Sequence, residues 1–480
     1  MKNQIFKSVK LDIILFILST IISLSTIPYY IYSLGVDGFG LYLSYQSVIT
    51  ILSATDIGLG VYLTHRLTAV VDSKKKILVI SKRTQFLQSI VVLIMFLVGF
   101  FVLTVLSIRG ASWDSIIFVS FSLFALLVST FFSLNKSVLR TYNHLNPIHY
   151  CIFINGGLAP LLGCIALYFG YGLPAIGIAI FISSCLSIGY LVIITKKLIG
   201  FCIIIPLPYH KAYLKRSFEY VKNFQVLKFC TVAKASALNV ILLNLANASF
   251  VAKFNVMNKV PSMFNMLISR LLLNYFAKIS MLYNSKRHRE LQDEYENLLA
   301  LALSLGFFMV ISILTLNEKF VNIWVGDDMF MSGVSKYLIL LIMFTMVINA
   351  TTGLFIQSTG EFRRSSLVSL FELAVFFALS TTLGYIYNGE GVIFSFFVSS
   401  LVLTTYYYRV IKTIIDVSFC KILIDISKPL VFMSILTFIS SAVITEAVES
   451  EIVSLSISII AFLLVYVLTF YRHILLVIRD

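Results

Sequence analysis

Apolar residues arrive in this chain in blocks of about twenty, the length an α-helix needs to cross roughly 30 Å of hydrocarbon. The blocks recur along all 480 residues, separated by short segments rich in Gly, Pro or charge. A bilayer core offers no water to the backbone, so a spanning segment is either an α-helix or a strand closed into a barrel. Barrel strands would show alternating segments of about ten residues, and none is visible. Composition agrees: the chain is 59% hydrophobic and 12% charged, with a mean hydropathy of +0.96. Soluble domains carry roughly 25% charged residues. The sequence therefore predicts an all-α polytopic membrane protein of about 14 transmembrane helices.

The predicted spans 1 to 6 are 11–32, 39–63, 85–107, 115–138, 148–170 and 174–195. Spans 7 to 12 are 224–252, 256–281, 298–316, 336–357, 365–387 and 391–411, and spans 13 and 14 are 429–446 and 452–471. The expected plan is an N-terminal lobe over 1–200, a cytoplasmic amphipathic linker over 201–223, a C-terminal lobe over 224–411, and two added helices in 412–480. Lys2, Lys7 and Lys10 before the first block resemble a signal-peptide start, but no clear cleavage site follows, so an uncleaved first helix is expected.

Charge orients the spans. With the N-terminus inside, the cytoplasmic segments hold 27 Lys and Arg and the opposite loops hold three, Arg109, Lys253 and Lys319. That asymmetry places both termini in the cytoplasm and accounts for the net charge of +15, with no need for nucleic acid as a partner. The outer loops are short, the longest expected over 317–335, which leaves little room for an extracytoplasmic catalytic centre.

Ionisable groups inside spans cost several kcal/mol unless they meet a partner or a wet cavity. On span 7, Lys228, Thr231, Lys234 and Asn239 fall within an arc of about 140°. On span 8, Lys259 and Arg270 lie within about 20° of each other and about 16 Å apart along the axis, with Asn274 about 40° further round. A basic, amide-rich stripe suits an anionic ligand bearing hydroxyls, because Arg offers forked donors to phosphate and Asn offers donors and acceptors. Lys228 and Lys259 sit near span ends, where snorkelling to the headgroups is the competing reading. Each Asn has helix joining as its competing reading. Among the acids, Asp12 either caps span 1 or pairs with Lys10. Asp56 and Glu372 are candidates for an ion pair with a cavity cation or for carrying a coupling ion.

Other chemistries lack their residues. There is no GxxxxGK[ST] loop for a nucleotide and no HExxH or Cys/His spacing for a metal. The six cysteines at 151, 164, 185, 202, 230 and 420 are scattered and read as small apolar fillers. No catalytic residue, cofactor or metal is expected, and transport would run on an ion gradient, the membrane potential or the substrate gradient.

Residues 27–66, IPYYIYSLGVDGFGLYLSYQSVITILSATDIGLGVYLTHR, carry a Pro at the end of span 1 (Pro28), then Leu34, Gly35, Phe39 and Gly40, then Asp56, Gly58 and Leu59, with Arg66 at the inner end. This order resembles the Wzx-type O-antigen and capsular polysaccharide flippases of the multidrug/oligosaccharidyl-lipid/polysaccharide (MOP) exporter superfamily. NEKFVNIWVGDDMF at 317–330 and QSTGEFRRSSL at 357–367 resemble the loops after spans 9 and 10 in the same family. The resemblance implies two six-helix lobes plus two C-terminal helices. It also implies alternating access and a cationic cavity for undecaprenyl-diphosphate-linked oligosaccharide, moved from the cytoplasmic to the periplasmic leaflet of the bacterial inner membrane. A polysaccharide polymerase and a chain-length regulator are the partners it implies. Span 1 is nearly uncharged after Asp12 and span 2 offers no base, so the cationic surface expected here is one-sided. Two other readings stand beside it: another exporter of the superfamily (a lipid II flippase or a drug/cation antiporter), and a membrane-bound polymerase or acyltransferase.

Overall fold

The computed structural model describes residues 2–54, 58–68, 70, 73–207, 211–273, 275–416, 430–431, 434–437, 439–440, 444 and 450–479. Among these residues every regular element is helical and no strand occurs. Nine helical stretches are long and apolar enough to cross a membrane. Two of them are hairpins: spans 1 and 2 join at Gly35, with φ 72°, and spans 11 and 12 join at Asn388, with φ 52°. The positive φ at Gly35 reverses the chain without a Cβ penalty. The chain is an all-α polytopic membrane protein. Half of predicted span 13 lies outside the described residues.

Two compact units form, Met1–Leu243 and Asn244–Asp480. In the first, buried amides join helices that apolar contact alone would leave free to slide. Gln85 and Gln88 of span 3 donate to the carbonyls of Phe131 and Thr130 of span 4, at 2.9 and 3.1 Å. Span 5 contains a π-helical turn, Ile154–Leu158, and Ser183 of span 6 donates to the Ile154 carbonyl at 2.7 Å. A widened turn displaces backbone acceptors from their ladder, and this hydroxyl satisfies one. Span 6 approaches span 4 most closely at Gly177, where an added Cβ would stand 2.8 Å from the Phe118 carbonyl oxygen. Backbone cannot yield as a side chain does, so Gly177→Ala is expected to destabilise by about 1–3 kcal/mol, as overpacking generally does. Thermal unfolding in detergent, set against Gly189→Ala, where an added Cβ meets nothing within 4 Å, checks it.

The second unit packs spans 8 to 12 and 14 around a core that includes Leu299, Leu303, Met309, Val347, Phe355 and Phe462. Asn349 ties span 10 to span 12: its Nδ2 donates to the Ser400 carbonyl at 3.1 Å and its Oδ1 accepts from Thr404 at 2.9 Å. Span 9 is a single helix, His288–Val325, of 38 residues, about 57 Å long. It exceeds the hydrocarbon thickness, and its first turns lie beside Lys278–Glu294 and Arg287–Glu290 ion pairs.

Several predicted boundaries move. Pro28 lies inside the first helix instead of closing it. Span 2 is interrupted after Ser53 and resumes at Leu59–Thr68. The helix of span 7 ends at Leu245, not 252, because Asn247 caps the next helix by accepting from the Phe250 N–H at 2.7 Å. Lys253, expected in an outer loop, therefore lies within the helix Ala248–Met257. Span 8 is three helices, Ala248–Met257, Lys259–Leu273 and Phe276–Asn284. The outer loop expected over 317–335 is helical as far as Val325. Of the described residues of the expected linker, 201–207 are non-helical and those from Lys211 onward belong to the helix Lys211–Leu245. The linker's first residues dock on the first unit, where Asn135 pairs reciprocally with the Ile203 backbone, at 3.2 and 3.0 Å.

Candidate functional site

Span 7 holds the deepest predicted cation. Lys234 is 5% exposed, and Ala233, Ser236, Ala237 and Leu238 around it are buried as well. This stretch of helix has protein, not lipid, over most of its circumference. Lys234 interacts with other groups of the chain, as a cation at such depth must. Lys228, nearer the start of the helix, is half-buried. Asn239 donates from Nδ2 to Ser47 Oγ at 2.9 Å, and Ser44 donates to the Asn239 carbonyl at 3.5 Å. Lower down, Gln225 donates to the Ala54 carbonyl. These bonds pin span 7 along span 2 and set the height at which Lys234 sits.

In the second unit, Lys259 opens the helix Lys259–Leu273 just after the interruption at Asn258, and Arg270 lies in its last turn. Both are half-buried. Asn274 and Asp56 lie outside the described residues. Glu372 of span 11 is 7% exposed. It lies within electrostatic reach of Tyr407 of span 12, which is itself packed against Gly353 of span 10. The predicted residues thus divide: Lys228, Lys234 and Asn239 belong to the first unit, and Lys259, Arg270 and Glu372 to the second.

Two polar features were missed from sequence. Asp12 was expected to cap its helix or pair with Lys10, but its carboxylate meets His149 Nδ1 at 2.9 Å, and His149 Nε2 meets Ser8 Oγ at 3.2 Å. That contact bridges spans 1 and 5, which are remote in sequence, so local spacing gave no sign of it. The second is a cavity of about 340 Å³ within the first unit, lined by Tyr30, Tyr42, Gln46, Ser122, Asn155 and Ser184 among others. Gln46 Oε1 and Ser122 Oγ are buried there without a protein partner. The space suits water or neutral hydroxyl groups, and no Lys or Arg lines it. Each lining residue reads alone as a helix-joining polar group; only convergence from five spans makes a cavity. Among the described residues no cluster of His, Cys, Asp and Glu could hold a metal ion.

No protein-family model matches the chain, and no curated protein matches it in sequence. Solved structures do match in shape. The lipid II flippase MurJ, in an inward closed conformation, superposes with a TM-score of 0.72 at 14% identity, over 97% of this chain and 99% of that one. An inward-facing multidrug-resistance transporter of the MATE family gives 0.67 at 14% identity, over 82% and 95%. The chain shares the fold of these two proteins. A further MOP transporter, from Pyrococcus furiosus and described for the reverse polarity of its binding pocket, superposes at 0.59 over 86% of this chain and 96% of that one, at 14% identity. Spans 7, 8 and 11 of this chain carry Lys228, Lys234, Lys259, Arg270 and Glu372. These solved structures are of two transporters and a lipid flippase.

Proposed function

We propose that this protein is a flippase that moves undecaprenyl-diphosphate-linked oligosaccharide repeat units from the cytoplasmic to the periplasmic leaflet by alternating access, for O-antigen or other surface polysaccharide. The observation that carries the reading is a lysine buried to 5% exposure at mid-span in a MOP fold. A cation retained at that depth is costly and marks a substrate or ion path by default. Ser236 and Asn239 on the same helix add a hydroxyl and an amide, which suit a diphosphate carrying sugars. A drug-cation exporter would favour anionic or aromatic groups instead.

In this reading the protein sits in the bacterial inner membrane with both termini cytoplasmic. Lys228, Lys234, Lys259 and Arg270, with Asn239 and Asn274, attract the head group while the polyprenyl tail stays in the bilayer. Asp56 and Glu372 are its ion-pair or coupling groups. A polysaccharide polymerase and a chain-length regulator act on the delivered units.

The test is purified protein in vesicles loaded with a fluorescent undecaprenyl-diphosphate oligosaccharide, with an impermeant quencher reporting outer-leaflet exposure. Loss of fluorescence beyond the outer-leaflet fraction, in protein-containing vesicles alone, is the expected result. Lipid II is the parallel cargo, because MurJ shares the fold over nearly the full chain. Movement of lipid II alone would reassign the protein to the second reading, and movement of neither lipid would remove the flippase assignment.

A further inference from the structure

On the face of the second unit formed by spans 11 and 12 runs a groove of about 530 Å³, lined by Leu367, Phe371, Val398, Leu401, Thr405 and Arg409 among others. Its residues fall in register. On span 12, Val398, Leu401, Thr405 and Arg409 lie within roughly 80° of one another, and on span 11, Arg364, Leu367 and Phe371 lie within roughly 60°. The walls are exposed and apolar: Leu367 is 57% exposed, Phe371 60% and Leu401 40%. In a spanning helix pair this is lipid-facing surface.

One end of the groove is charged. Arg409 lines it and is exposed. Arg364 bridges the two helices there by donating to Thr413 Oγ1 at 3.4 Å. Arg363 and Lys412 stand beside them, both exposed, with Lys412 Nζ 4.9 Å from the Tyr408 ring centre. Glu361, 3.6 Å from Arg364, and exposed Asp416, four residues after Lys412, are the acids at this end, so Arg363, Arg364, Arg409 and Lys412 keep a positive excess. From Arg409 back to Val398 is eleven residues, about 16 Å of helix, close to half of the roughly 30 Å hydrocarbon core. An apolar channel about one leaflet long, ending in a basic cluster, matches the length of a lipid chain and complements an anionic headgroup.

We propose that this groove binds one anionic glycerophospholipid of the cytoplasmic leaflet, its acyl chain along spans 11 and 12 and its phosphate against Arg409 and Arg364. The proposal rests on the inside placement of residues 358–364 and 409–412 in the reading above, and it concerns a resident lipid, not the cargo. Arg over Lys at the two groove positions supports phosphate binding, because the guanidinium fork donates two parallel bonds.

The experiment is native mass spectrometry of the full chain, delipidated and then offered equal phosphatidylglycerol and phosphatidylethanolamine with identical acyl chains. Wild type is expected to retain phosphatidylglycerol at least about fivefold over phosphatidylethanolamine, the bias one basic residue at a membrane surface gives. Arg409→Gln should bring that ratio close to one. Leu401→Trp, which fills the groove at an exposed position, should reduce retention of both lipids. An unchanged ratio in Arg409→Gln overturns the site, as does equal retention of the two lipids by wild type. Undecaprenyl phosphate is the third probe: if it displaces phosphatidylglycerol from wild type, the groove belongs to the cargo lipid and the resident-lipid assignment is wrong. Lipid retention and flipping are read separately, so failure of this proposal leaves the flippase assay untouched.

Discussion

Lys234→Met is expected to abolish delivery of lipid-linked oligosaccharide while the protein remains folded and abundant in the membrane. Methionine keeps an unbranched stem of similar length, so packing around Ala233, Ala237 and Leu238 is preserved and only the charge is lost. That choice separates the two roles a buried cation can have. A charge held for structure alone leaves its partner unanswered when it is removed, so Lys234→Met would then cost stability, about 3–5 kcal/mol for a buried pair. A charge held for the cargo cannot be replaced, because the diphosphate then loses a charge-assisted hydrogen bond of about 1.5–3 kcal/mol, a factor of roughly ten to more than a hundred in occupancy. Arg270→Ala should act similarly through the second unit, with Arg270→Lys restoring part of the activity: the charge returns but the planar fork does not. The readouts are surface polysaccharide in a deletion strain, protein level by immunoblot, and quencher-accessible fluorescence in vesicles. Normal export by both Lys234→Met and Arg270→Ala would dispose of the cationic-face mechanism and leave the fold standing.

Much of this was legible in the sequence because the bilayer reduces structure to few options. Blocks of about twenty apolar residues admit little but helices, and the element order follows directly. Glycine at 35 made the first hairpin readable, since a positive φ there needs no Cβ. What stayed hidden depends on partners distant in the chain. The end of span 7 moved because a single side chain, Asn247, caps the next helix, and hydropathy is blind to a cap inside an apolar run. Span 8 was drawn as one helix because its average apolarity conceals the interruption at Asn258. Nothing in the sequence around His149 signals that Asp12 and Ser8 meet both its nitrogens. The depth of Lys234 was readable from its position in a span, but its burial required knowing that span 7 lies along span 2 through Gln225, Ser44 and Ser47.

Glu372→Gln is expected to uncouple transport from its driving gradient without unfolding the second unit. Glu372 is 7% exposed in the middle of span 11, with Tyr407 of span 12 within electrostatic reach. A carboxyl at such depth costs several kcal/mol unless something answers it. Two answers are available: a fixed partner, or an ion that arrives and leaves with each transport cycle. Glutamine keeps the length and hydrogen-bonding capacity of the side chain and removes only its ability to exchange a proton or hold a cation. With a fixed partner, the variant should lose stability and nothing else. With an exchanged ion, the loss appears in the response to a gradient. A proton gradient of one pH unit supplies about 1.4 kcal/mol per proton, roughly tenfold in the distribution of cargo between leaflets. Wild-type vesicles energised in this way, or by an equivalent sodium gradient, should show that bias for one of the two ions. Glu372→Gln vesicles should equilibrate the cargo with no bias. A variant that follows the gradient as wild type does, with a lowered unfolding temperature, would make Glu372 a structural residue of the span 11–12 pair, and the coupling ion would then have to act elsewhere in the chain.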